Sequence, residues 1–149
     1  MDSKIYHSKV NQIIQLKKIR IQQIEEGIVE NYFLSGENIE VEDFQELKIK
    51  NLEIMGKRSY TVLVAAEGLT SFTREAREYV ASKEYVGITI AKALLISGLG
   101  QRIIGNFYMK VNKPNIKTRL FSDRDKAIAW LRKEYRQHNN KVVSENHGD

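Results

Sequence analysis

The 149-residue chain has no cysteine, one proline and three histidines. Without thiols there is no disulfide framework, no thiolate nucleophile and no cysteine-built zinc site. One proline and nine glycines leave no long linker, and neither an internal repeat nor a low-complexity segment is present. Long apolar runs are missing too. No window approaches the ~18 uninterrupted apolar residues of a membrane span, and residues 1–10 lack the apolar stretch of a signal peptide. A cytoplasmic protein without a membrane span is the expectation. His7, His138 and His147 fall outside the expected packed elements, where no second group orients them as a base or ligand. Gly-x-Ser-x-Gly, Walker A and Gly-x-Gly-x-x-Gly sequences are all absent. The chain is expected to be no enzyme, with no cofactor and no metal.

Hydrophobic residues at 42% and charged residues at 29% are enough to build one packed domain. The net charge of +5 is unevenly spread: residues 98–137 hold ten Lys/Arg against three Asp/Glu. Such a segment attracts acidic partners, anionic lipid or nucleic acid, although a charge run is more often a solvated helix face.

Residues 1–17 fit neither period and are read as an N-terminal arm that packs on the domain or on a second subunit, which would make a homodimer. Ile19, Ile21 and Ile24, then Ile28, Glu30, Tyr32 and Leu34, predict a β-hairpin turning at Gly27. Val41, Phe44, Leu47, Leu52 and Met55 predict a helix capped by Glu40 and closed by Gly56. Tyr60–Ala66 is a continuous apolar run of strand length, as expected for a strand covered on both faces, and Ala91–Ser97 is a second strand of central type. Thr73 or Ser71 caps a helix running to about Lys83.

Leu99, Ile103, Phe107 and Val111 recur every four residues and predict a helix with these side chains buried and Gln101, Arg102, Asn106 and Lys110 outward. Pro114 ends that helix. Thr118–Phe121 makes a short strand, and Ala127, Ile128, Leu131 and Tyr135 mark the buried stripe of a last helix. Beyond Gln137, residues 138–149 read as a polar flexible tail. The order ββαβαβαβα over 18–137 defines an α/β domain with a mixed, mostly parallel sheet, because alternating strands and helices force crossovers.

This order resembles the STAS family of anti-sigma-factor antagonists and sulfate-transporter tails, most nearly small uncharacterised bacterial STAS-like proteins. Phe72-Thr73-Arg74-Glu75-Ala76-Arg77-Glu78-Tyr79, Gln101-Arg102-Ile103-Ile104-Gly105-Asn106-Phe107, Asn112-Lys113-Pro114 and Leu120-Phe121-Ser122-Asp123 carry the likeness. It implies an interaction or regulatory domain with a protein partner. Antagonists carry Asp-Ser-Ser/Thr-Gly before the helix that follows the central strand, and a kinase phosphorylates that serine. Here Gly68-Leu69-Thr70-Ser71-Phe72-Thr73 stands in its place, so no phosphoacceptor is carried over.

Three surfaces follow. Thr70, Ser71, Thr73, Arg74 and Arg77 are the expected partner surface. Gly98, Gly100 and Arg102, at a strand-to-helix turn, would bind a small anion such as a nucleotide or lipid headgroup, although paired glycines more often serve a tight turn. Lys110, Lys113, Lys117 and Arg119, with Arg102, would form a weak nucleic-acid face if helix and strand lie side by side.

Overall fold

The computed structural model describes residues 12–147. The first eleven residues of the expected arm, His7 among them, and the last two of the tail lie outside the described residues. A six-stranded sheet has the order β1(Ile13–Gln15), β2(Ile19–Glu25), β3(Ile28–Phe33), β5(Tyr60–Ala66), β7(Thr89–Leu95), β8(Lys117–Phe121). The β1/β2 and β2/β3 pairs are antiparallel and the other three are parallel. The expected mixed, mostly parallel sheet is therefore present. β4(Asn38–Ile39) and β6(Ser71–Phe72) form a separate two-stranded pair.

The hairpin turns where the sequence places it. Gly27 has a φ of 79°, and a Cβ there would sit 2.5 Å from the Tyr135 ring, so the position excludes side chains on two grounds. The sheet starts earlier than expected: Ile13–Gln15, assigned to the arm, pairs with Arg20–Gln22 as an edge strand.

One face of the sheet carries α1(Val41–Ile54), α2(Arg74–Ala81), the short α3(Lys83–Val86) and α4(Gly98–Phe107), which runs into a π-helical turn at Tyr108–Asn112. The other carries α5(Arg124–His147). β5 shows why its sequence is apolar throughout. Tyr60 and Val62 pack among Phe33, Phe44, Leu47 and Tyr85 on the first face, and Leu63 packs with Ala127 and Leu131 on the second.

α1 starts as expected, with the Glu40 N–H donating to Asp43 Oδ2 at 2.9 Å, and Asp43 also pairs with Lys18 at 2.8 Å. α5 runs on through His147, across the residues read as a tail. Nothing between Arg124 and His147 is a proline or glycine, so no residue there breaks the helix. Two bidentate ion pairs tie it to the hairpin, Arg124 to Glu30 and Arg132 to Glu25.

Thr73 caps α2, its hydroxyl accepting from the Ala76 N–H at 3.0 Å. Thr73→Ala leaves that N–H without its acceptor. It should lower stability by about 1 kcal/mol in urea unfolding, whereas Ser71→Ala should cost under ~0.5 kcal/mol.

Candidate functional site

The carboxyl ends of the parallel strands lead into 67–73, between β5 and α2, and 96–98, before α4. These are the usual places for ligands in such sheets. Thr70 is buried, its hydroxyl donating to the Leu34 carbonyl at 3.1 Å. Ser71 is exposed and donates to Asn38 Oδ1 at 2.9 Å. Arg74 forms an exposed pair with Glu78 on its own helix. Arg77 donates to the Phe72 carbonyl at 2.7 Å and stacks over the Phe107 ring at 5.3 Å, linking α2 to α4. The partner-surface residues thus share one corner, with Thr70 and Thr73 committed to backbone contacts.

The turn at Gly98 (φ 83°) has the conformation a glycine permits. Gly100 lies against Leu69, whose Cδ2 would stand 2.9 Å from an added Cβ. The Ser97 N–H, first of the donors facing that end, already donates to Gln101 Oε1 at 2.8 Å. Arg102 is exposed. The glycines therefore serve a turn and a close approach, and the preorganised donors of an anion site are not all free.

The basic set divides. Lys110 and Lys113 stand exposed around the π turn. Lys117 pairs with Glu134 of α5 at 3.3 Å, and Arg119 lies over Phe121 at 5.1 Å, on the opposite face of the sheet. No single face gathers all four.

α4 departs most from expectation. Leu99, Ile103, Phe107 and Val111, predicted to be buried, are 73, 60, 46 and 58% exposed. The helix instead turns Gly105 and the following Tyr108 inward, while Gln101, expected outside, donates to the carbonyls of Ala66 and Gly68. The reason is Gly105. A Cβ there would lie 3.0 Å from Ile96 and 3.3 Å from Leu120, so only a residue without one lets the helix backbone close on the sheet. Phe107, read as core, is therefore an exposed side chain stacked on Arg77.

Between the first face of the sheet and α1, α2 and α4 lies a cavity of about 130 Å³, lined chiefly by apolar side chains. Asn31 of β3 and Asn51 of α1 lie in its wall and satisfy each other through two reciprocal amide hydrogen bonds of 2.9 and 3.1 Å. Lys92 of β7 also lines it. Its side chain is 5% exposed and makes no ion pair or hydrogen bond among the described residues, its contact being the Tyr85 ring at 5.5 Å. Burial pulls its ammonium down to about 8. The same burial pushes the Tyr85 and Tyr108 hydroxyls up. Tyr108 Oη and Arg77 Nε are buried without hydrogen-bond partners, and both residues line this cavity. No sequence motif marks the cavity; its one signal in the sequence is the lysine inside Ala91–Ser97, a strand of central type.

Among the described residues no group of three or more His, Asp or Glu side chains can hold a metal ion, and no helix is long and apolar enough to cross a membrane. His138 sits half-buried on α5, outside the cavity wall.

A mixed sheet with four helical crossover segments on one face and a closing helix on the other defines an α/β domain of SpoIIAA-like, that is STAS-like, architecture. A crystal structure of an uncharacterised protein of the DUF3478 family from Shewanella loihica PV-4, with a SpoIIAA-like fold, superposes with a TM-score of 0.52. It is 12% identical, and the match covers 79% of this chain and 97% of that one. The likeness establishes the fold, as the order of elements led one to expect. More particularly, residues 22–135 match the family described as Domain of unknown function (DUF7793), and the chain belongs to that family. No curated protein matches the chain.

Proposed function

We propose that this chain is a non-enzymatic interaction domain whose docking face is the outer side of α4. The observation that carries this is the exposed stripe Leu99, Ile103, Phe107 and Val111, continued by Leu69, which is 64% exposed. A contiguous apolar patch of this kind on a folded domain marks a contact surface. Arg77 of α2 meets the stripe at Phe107, and Leu69 meets the same helix at Gly100, so the surface expected around residues 70–77 adjoins the stripe. Arg102, Lys110 and Lys113 flank the stripe, and residues 98–122 contain no acidic side chain. The occupant that fits is a protein surface with an apolar patch rimmed by carboxylates, since charge complementarity supplies register and encounter rate.

The test is capture from extracts of its own cells with three baits: the natural chain, Ile103→Asp, and Ile49→Asp at an exposed position on α1. One protein should be retained by the natural chain and by Ile49→Asp, and lost with Ile103→Asp. Its retention should fall in about 0.5 M salt, where exposed charges are screened. Equal capture by all three baits, recovery of the chain alone, or Ile103-dependent sedimentation with anionic vesicles instead would each overturn the reading.

A further inference from the structure

We infer that the cavity beneath α4 is a binding site for a small apolar molecule carrying a carboxylate, with Lys92 and Tyr108 holding the head group. This is independent of the docking face, which lies on the other side of the helix.

Three observations converge. The cavity is lined chiefly by apolar side chains and is of a size that matters. Its volume of about 130 Å³ is near that of the ~150 Å³ apolar cavities that take up benzene, which suits a body of roughly six to ten carbon atoms. The polar groups left over in its wall are donors. Tyr108 Oη and Arg77 Nε have no hydrogen-bond partner, and Lys92 makes no hydrogen bond or ion pair among the described residues, only its contact with the Tyr85 ring. The Asn31 and Asn51 amides, by contrast, satisfy each other, and Gln101 is committed to backbone carbonyls. The wall also contains no aspartate or glutamate, so nothing in it balances the lysine.

A buried ammonium without a counter-charge is costly, and buried charges in proteins are as a rule paired. A carboxylate entering the cavity would supply both missing elements, a negative charge for Lys92 and acceptor oxygens for the orphaned donors. The apolar body would fill the remaining space. A neutral apolar ligand leaves the lysine unmatched, and a nucleotide would bring more polar surface than this wall can satisfy.

Isothermal titration with octanoate and with octanol tests this on the natural chain, Lys92→Met, Tyr108→Phe and Ile103→Asp. Octanoate should bind at one per chain. Lys92→Met should weaken it about tenfold or more and Tyr108→Phe by a few-fold, as for removal of a charged and a neutral hydrogen bond. Octanol should bind the natural chain and Lys92→Met alike, and Ile103→Asp should bind octanoate as the natural chain does. No saturable octanoate binding, binding indifferent to Lys92→Met, or binding lost in Ile103→Asp would overturn the inference. The last result would place the fatty chain on the outer stripe.

Discussion

Lys92→Met should stabilise the protein by about 2 kcal/mol at pH 7, measured by urea unfolding. The ammonium falls from its ordinary 10.5 to about 8 because β7 carries it into an apolar interior. A depression of that size corresponds to roughly 3 kcal/mol of unfavourable burial, from which about 1 kcal/mol is subtracted for the lost contact with the Tyr85 ring. Methionine matches the side chain in length and needs no partner.

The pH dependence separates this from a simple packing gain. Below pH 8 both the folded and the unfolded chain hold the proton, and the full cost is present. Between 8 and 10 the unfolded chain binds the proton more tightly, so stability of the natural protein rises with pH. Lys92→Met removes that rise. Above about 10 the stability of both proteins falls, because the unfolded chain then ionises tyrosine hydroxyls that the folded one keeps neutral. A variant no more stable than the natural chain, or one that keeps the rise between pH 8 and 10, would refute the assignment. A stability gain paired with loss of carboxylate binding is the trade expected when a residue is kept for a ligand.

Asn51→Leu should have the largest destabilising effect, about 3 kcal/mol. It removes both reciprocal hydrogen bonds and strands the Asn31 carbonyl and amide in a buried place. Each orphaned polar group costs about 1–3 kcal/mol, far more than a satisfied pair contributes. The double variant Asn31→Leu/Asn51→Leu has no orphan and should recover at least ~2 kcal/mol of the summed single losses. Additive losses in the unfolding cycle would show that the two amides act independently.

Much of the fold is legible in the sequence because its local signals agree with its tertiary demands. Gly27 marks the hairpin, Thr73 caps α2, and the apolar runs at Tyr60 and Ala91 are the two central parallel strands. What stays hidden is set by distant partners. β1, β4 and β6 are two or three residues long, too short to show a period, and exist because other strands lie beside them. The stripe on α4 shows the opposite failure: periodicity picks out an apolar face but not which way it turns, and Gly105 decides that. The site is less legible still. The residues expected to act around 70–77 and 98–102 are largely occupied in capping and turns, whereas Lys92 lies inside a strand and belongs to no motif. A single charge in an otherwise apolar strand is the pattern that would have found it.

The placement of α5 alone on the second face of the sheet has a consequence for synthesis. Ile28, Leu63, Ala91 and Ala93 all reach that face before the chain has extended to Ala127 and Leu131, the side chains that cover them. Until α5 docks, the sheet has one apolar side bare, the state in which incomplete domains associate wrongly. Arg124 and Arg132 of α5 then fasten it to glutamates of the hairpin about a hundred residues earlier, so the hairpin is locked to the second face only once α5 is in place.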